Sequence, residues 1–163
     1  MTIKIDNTKS WPITFNKPLI IAGPCSAESE DQMLRTAHEL KHHENLLFRA
    51  GIWKPRTRPN SFEGIGAVGL KWMDIVKKET GLKTTTEVAN AQHVEEALKY
   101  DIDVFWIGAR TTVNPFAVQE IADALKGSNK PIMIKNPINP EVNLWLGAIE
   151  RFYDAGLTKL AAI

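Results

Sequence analysis

Val104-Phe105-Trp106-Ile107-Gly108-Ala109-Arg110 contains the pattern that decides the fold: a short apolar run, a glycine turn, then a cation. The run is short, apolar and not strictly alternating, as a strand is when both of its faces are covered in a parallel sheet. Four other runs repeat the arrangement. Leu19–Ala22 leads to Cys25, Leu46–Phe48 to Arg49, Thr84–Thr86 to Glu87, and Ile132–Ile134 to Lys135. Side chains at the C-terminal ends of adjacent parallel strands converge on one mouth, where a barrel or a doubly wound sheet keeps its chemistry. An ionisable or metal-competent group at each strand end therefore reads as an active site.

Helices fill the intervals between these runs. Ser29 and Gln32 have capping-box spacing, and Met33, Leu34, Ala37 and Leu40 follow at helical period. A second helix carries Val68, Trp72, Ile75 and Val76 and stops at Gly81. Asn90 suits the N-cap of a third, with Val94, Ala97 and Leu98 facing inward. Pro115 opens a fourth, which carries Val118, Ile121, Ala122 and Leu125 and ends near Gly127. The fifth runs through Leu144, Leu146, Ile149 and Phe152 to Gly156, and Lys159–Ile163 looks like the opening of a sixth strand. This is the α/β pattern of a parallel sheet, in a barrel or a doubly wound fold; on the barrel reading, a parallel (β/α)8 TIM barrel, about the first five and a half β/α units are present. The expected division is a short N-terminal extension over residues 1–16 and an incomplete barrel over residues 17–163, cut within strand six. A chain ending on a raw hydrophobic strand is expected to be a piece of a longer protein, because an unpaired edge templates aggregation.

Composition narrows the class. With 44% hydrophobic and 24% charged residues in a chain of 163, the sequence suits one globular domain with a substantial core. A net charge of +1 gives no global attraction to nucleic acid or an anionic membrane, so anion affinity must come from local clustering. Met1–Ser10 has no leader-like apolar segment, and no window approaches about 18 uninterrupted apolar residues, so neither secretion nor membrane spanning is expected. Cys25 is the single cysteine, which precludes an intrachain disulfide and fits a reducing cytoplasm.

The strand ends supply the candidate chemistry. In Gly23-Pro24-Cys25-Ser26 a tight turn carries a thiol to the mouth, where a thiolate could bind a divalent metal or act as a nucleophile; inert packing is the bland alternative. Between Arg49 and Pro59 lie four cations, Arg49, Lys54, Arg56 and Arg58, with Pro55 and Pro59 stiffening the loop and Trp53 able to anchor it. Such a loop can hold a phosphorylated ligand without first being ordered by it. Glu87 would offset this charge, orient a lysine or position a water, or form an ion pair with Arg49 or Arg110. Gly108-Ala109-Arg110 joins backbone N–H groups to a guanidinium, a good phosphate seat. Lys135 is expected to be buried, so Glu87 or an anionic ligand should meet it. His38, His42, His43 and His93 lack metal-ligand spacing and read as surface or packing residues, while Trp72, Trp106 and Trp145 read as core. Gly64-Ile65-Gly66-Ala67-Val68-Gly69 follows a basic loop rather than a strand and lacks the full dinucleotide fingerprint.

Taken together, Ile21-Ala22-Gly23-Pro24-Cys25-Ser26, Phe48-Arg49-Ala50-Gly51, Lys54-Pro55-Arg56-Thr57, Thr86-Glu87-Val88, Ile107-Gly108-Ala109-Arg110 and Ile134-Lys135 resemble the 3-deoxy-heptulosonate-7-phosphate (DAHP) synthases. The likeness is to the short, single-barrel branch of the type I enzymes, and it runs from about Lys17 through nearly the whole chain. The resemblance implies the first step of the shikimate pathway, toward chorismate and the aromatic amino acids. There phosphoenolpyruvate condenses with erythrose 4-phosphate in an aldol-type reaction that releases phosphate. It also implies a divalent metal, manganese among the candidates, with Cys25 as one ligand. Arg49, Lys54 and Lys135 would hold the phosphoenolpyruvate carboxylate, and Arg110 with the Ala109 backbone its phosphate. Pro55, Arg56 and Thr57 would seat erythrose phosphate. Lys54 would also serve in proton transfer, and Glu87 would position a water or lysine at the reacting carbon.

The same resemblance implies a homo-oligomer for the full-length protein. Arg58 stands where many relatives have serine. The family draws its other metal ligands, a histidine, a glutamate and an aspartate, and a further phosphate-binding arginine from later strands, so residues 1–163 alone are not expected to catalyse. Two alternatives remain: the related 3-deoxy-octulosonate 8-phosphate synthases, against which Lys54-Pro55-Arg56-Thr57 argues, and a noncatalytic phosphate-binding module.

Overall fold

The computed structural model describes residues 11–13, 18–54 and 56–163. Six strands, β1 (Ile20–Ala22), β2 (Leu46–Arg49), β3 (Lys83–Val88), β4 (Val104–Ile107), β5 (Ile132–Ile134) and β6 (Leu160–Ala162), pair in parallel and in sequence order. Between them run α1 (Glu30–Leu40), α2 (Val68–Thr80), α3 (Ala91–Leu98), α4 (Ala109–Thr112), α5 (Pro115–Leu125) and α6 (Val142–Asp154).

Strict sequence order separates a barrel from a doubly wound sheet, which reverses direction at a switch point. The side chains give the same answer. Phe48, Phe105, Ile107, Ile132, Ile134 and Leu160 pack against residues of the five longer helices, such as Met33, Leu70, Val94, Val118 and Ile149. The alternate positions Leu47, Val104, Trp106 and Met133 form a second cluster with Trp11 and Ile13. All the long helices therefore lie on one face, and the other face is the lining of a half-barrel. Of the N-terminal segment expected over residues 1–16, only Trp11–Ile13 falls among the described residues, and Trp11 and Ile13 are buried in that lining.

Local signals set the boundaries. Ser29 accepts from the Gln32 N–H at 3.1 Å, but the Gln32 side chain accepts from Glu28, one residue before the cap, rather than from Ser29 itself. Asn90 caps α3, Asn114 caps α5 with Pro115 in the first turn, and Gly81 closes α2 in the left-handed conformation. Two expectations change. Leu146 is 49% exposed rather than inward, because α6 buries Ala148, Ile149 and Phe152 instead. The segment after β4 is the short helix α4 rather than an open turn, tied down by Thr111 N–H and Thr112 N–H on the Gly108 carbonyl, both at 2.9 Å. Four residues are too few for a hydrophobic period to announce.

At the N-terminal ends of the strands the charges are paired. Asp103, buried, accepts from the Thr84 N–H at 3.0 Å and its hydroxyl at 3.2 Å, and faces Lys77 at 3.1 Å and Lys83 at 3.5 Å. Asp101 joins Lys130 at 2.6 Å and Lys77 at 3.0 Å. Removing Asp103 leaves two donors on buried Thr84 unmet and leaves the partly buried Lys77 with Asp101 alone. Asp103→Ala is therefore expected to cost about 2 to 3 kcal/mol in denaturant unfolding.

Hydrogen bonds from Lys130 and then Lys77 hold the Asp101 carboxyl down at about 2, against 3.8 for the free group. A depressed carboxylate stabilises the fold above its unfolded value and loses that contribution as pH falls from about 4 to about 2. The side chain is 77% exposed, so screening keeps the effect below about 1 kcal/mol. Asp101→Asn should flatten the acid limb of a stability-versus-pH curve in that window and leave it unchanged in slope between pH 5 and 7.

Candidate active site at the C-terminal strand ends

The opposite rim gathers the groups singled out from the sequence. Beyond β1, Cys25 is exposed. Beyond β2, Lys54 donates from Nζ to the Cys25 carbonyl at 2.8 Å and stands 3.5 Å from its Sγ, and Arg49 Nη2 reaches the same carbonyl at 3.4 Å. The Lys54 charge and its hydrogen bond lower the Cys25 thiol pKa from the usual 9.0; Arg49 helps, and slight burial opposes. Gly51 lets this happen. A Cβ there would overlap the Cys25 carbonyl and sit 3.1 Å from Lys54 Nζ, so any side chain would push the loops apart.

A second group lies on the lining of the half-barrel. β3 and β4 pair Glu87 with Trp106, and the indole N–H donates to Glu87 Oε2 at 2.9 Å. The Arg49 guanidinium stands 4.7 Å from the Trp106 ring centroid and Lys135 Nζ 5.8 Å from it. Arg49, Trp106 and Lys135 line a concavity of about 230 Å³ with Ile21, Met133 and Ile163. Glu87 makes no ion pair with Arg49 or Arg110, contrary to one alternative read from the sequence; the indole takes its carboxylate instead. Lys135 is exposed rather than buried. β5 ends at Ile134, so the lysine already stands beyond the sheet and reaches back only as far as the ring.

Other expected residues have partners of their own or face solvent. Arg56 is exposed and spends its Nε on the Phe62 carbonyl at 2.8 Å; Thr57 and Arg58 are exposed on the same loop; Pro55 lies outside the described residues. Arg110 projects from α4, exposed, and the Ala109 carbonyl is taken by the Ile138 N–H at 3.0 Å. Trp53 anchors the loop as expected, stacking on His93 with centroids 4.1 Å apart and planes 7° from parallel. Burial lowers the His93 pKa below its usual 6.5.

Trp106 is the site residue that sequence reasoning missed by assigning it to the core. The signal was present: a strand alternates faces, so Leu47 and Arg49, Val104 and Trp106, and Met133 and Lys135 share the lining.

No ion pair among the described residues involves Arg49, Lys54, Arg56, Arg110 or Lys135, and the buried Nε of Arg49 has no acceptor. Buried donors are rarely left unmet, so this rim has the charge and the free donor to receive an anion. A resident metal fits less well. Among the described residues no three of His, Cys, Asp and Glu converge, and Cys25 offers one thiolate; these residues do not build a metal centre by themselves.

A family profile, that of the DAHP synthetase I family, matches residues 3–162. The chain belongs to the DAHP synthetase I family. Within it, the chain is 33% identical over 141 residues to the phospho-2-dehydro-3-deoxyheptonate aldolase of Thermotoga maritima, covering 86% of this chain and 40% of that one. It is 40% identical over 81 residues to a 2-dehydro-3-deoxyphosphooctonate aldolase of Campylobacter jejuni, covering 45% and 30%. The crystal structure of a Thermotoga maritima DAHP synthase superposes with a TM-score of 0.79 at 27% identity, over 98% of this chain and 44% of that one. A truncated form of the Thermotoga 3-deoxy-D-arabino-heptulosonate 7-phosphate synthase gives 0.76 at 26% identity, over 98% and 56%. This member of the DAHP synthetase I family thus spans less than half the length of the curated relatives it matches.

In this family member the lone thiol reports directly on Lys54. Lys54→Met should move the pH midpoint of Cys25 alkylation upward and slow labelling at pH 7 several-fold in metal-free buffer. An unchanged profile would show that the ammonium does not act on the sulfur.

Proposed function

We propose that the full-length protein condenses phosphoenolpyruvate with erythrose 4-phosphate to give 3-deoxy-heptulosonate 7-phosphate and phosphate. The observation that carries this reading is the set of cations at the C-terminal rim that have no carboxylate partner, while Lys77, Lys83 and Lys130 at the opposite rim are all paired. Phosphoenolpyruvate carries a carboxylate and a phosphate on adjacent carbons, so it needs two cationic seats close together. Arg49 and Lys135 over one indole, with Lys54 beside Arg49 on the Cys25 carbonyl, supply the first. The second is Arg110 with the backbone of Ala109, and Arg56 and Thr57 on the exposed loop, with Pro55, serve the aldose phosphate.

Lys54, beside Arg49 on the Cys25 carbonyl, is the proton donor or acceptor, and Glu87, held by an indole N–H, orients a water at the reacting carbon. In the full-length protein Cys25 would be one of several donors to a divalent metal such as manganese, which would polarise the aldehyde. Cation removal at the rim separates binding from folding: Arg49→Ala should weaken phosphoenolpyruvate binding at least about tenfold while shifting unfolding less than Asp103→Ala does.

The Campylobacter relative supports a second reading, condensation with arabinose 5-phosphate. The Lys54-Pro55-Arg56-Thr57 sequence favours erythrose 4-phosphate, because the octulosonate enzymes resembled here carry an asparagine-containing sequence at that place. Phosphate release by the full-length protein, with manganese present and each aldose phosphate offered in turn, decides between them. Turnover with erythrose 4-phosphate is the expected result. Turnover with arabinose 5-phosphate alone would establish the second reading, and phosphate binding with neither turnover nor metal dependence would leave a noncatalytic module.

A further inference from the structure

Trp106 faces three ionic groups at the mouth of the half-barrel, Arg49, Lys135 and Glu87. It is 3% exposed, two cations face its ring, and its N–H holds the Glu87 carboxylate. We infer that Trp106 is a positioning residue of the anion site: its ring holds Arg49 and Lys135 at the concavity they line together, and its N–H holds the Glu87 carboxylate out of an ion pair with either. The identity of the anion rests on the phosphoenolpyruvate reading; the positioning does not.

Two cations lining one concavity without a counter-charge repel one another, and a carboxylate that relieved the repulsion would cancel the charge an anion needs. An indole face resolves the conflict. Its quadrupole attracts each cation without neutralising either. The danger is Glu87, which stands across from Trp106 in the strand register. Left free, its carboxylate would pair with Arg49 or Lys135 and compete with the ligand. Two features confine it. The indole N–H takes Oε2 at 2.9 Å, and Gly108 leaves room for Oε1 on the other side, where a Cβ would collide with that oxygen. Were Trp106 only a core residue, its replacement would change stability and leave anion affinity and Glu87 untouched.

Two measurements on the full-length protein decide this. In a ¹H–¹⁵N spectrum without ligand, the Trp106 indole signal, assigned by its loss in Trp106→Phe, should exchange slowly with solvent and shift markedly in Glu87→Gln. A fast-exchanging indole insensitive to Glu87→Gln overturns the inference, and this arm needs no variant that loses the indole to remain folded. By calorimetry, Trp106→Phe should bind phosphoenolpyruvate about tenfold more weakly, and adding Glu87→Gln should restore most of the loss by removing the competing charge. Equal affinity in Trp106→Phe, or no recovery in the double variant, also overturns it. If the unmodified protein fails to bind phosphoenolpyruvate while the indole responds to Glu87→Gln, the substrate reading falls and the positioning role stands.

Discussion

Parallel pairing in sequence order imposes one constraint on the molecule: every strand must begin at one rim and end at the other. Ala22 pairs with Phe48, Arg49 with Thr85, Glu87 with Trp106 and Ile107 with Ile134, so residues far apart in sequence reach the same height in the sheet. The helices return the chain across the outer face each time, and their apolar stripes cover Phe48, Phe105 and Ile134. That burial, at roughly 25 cal/mol for each Å² of apolar surface, holds the rims in place. The loops then have only to carry the right side chains.

The rims differ in how they treat charge. At the N-terminal rim, aspartates and lysines satisfy each other and the strand backbone, with Asp103 receiving both donors of Thr84. At the C-terminal rim, cations rest on carbonyls, an indole face or solvent. Lys54 and Arg49 share the Cys25 carbonyl, and Arg49 and Lys135 share Trp106. Carbonyls and rings orient a cation without discharging it, so positive potential remains at the mouth. The thiol beside Lys54 feels that potential directly.

Much of this was legible in the residues. The apolar runs, the caps at Ser29 and Asn90, Pro115 in the first turn of its helix, and the stop at Gly81 each encode local physics, and the elements fall close to where those signals put them. Periodicity could not reveal α4, which is shorter than two turns, or which stripe of α6 turns inward, which depends on the neighbouring α5. At the site, strand ends were legible but side-chain partners were not. Glu87 was matched with cations because opposite charges attract; the structure gives it to a tryptophan because the two face each other across β3 and β4. Lys135 was expected to be buried because it follows an apolar run, yet the sheet ends one residue earlier.

Close approach at the rim also shapes how the sequence can change over generations. At Gly23 a side chain would run into the Arg49 carbonyl, at Gly51 into the Cys25 carbonyl, and at Gly108 into the Glu87 carboxylate. Each obstacle belongs to the backbone or side chain of a residue that itself faces the mouth, so no single replacement can be absorbed by a neighbour giving way harmlessly. Gly81, Gly127 and Gly156, by contrast, have nothing within 4 Å of the added carbon. There a newcomer meets only the torsional penalty of a positive φ, which an asparagine tolerates. Drift in this lineage should therefore wear away the helix-ending glycines first and leave the mouth glycines as fossils of its geometry.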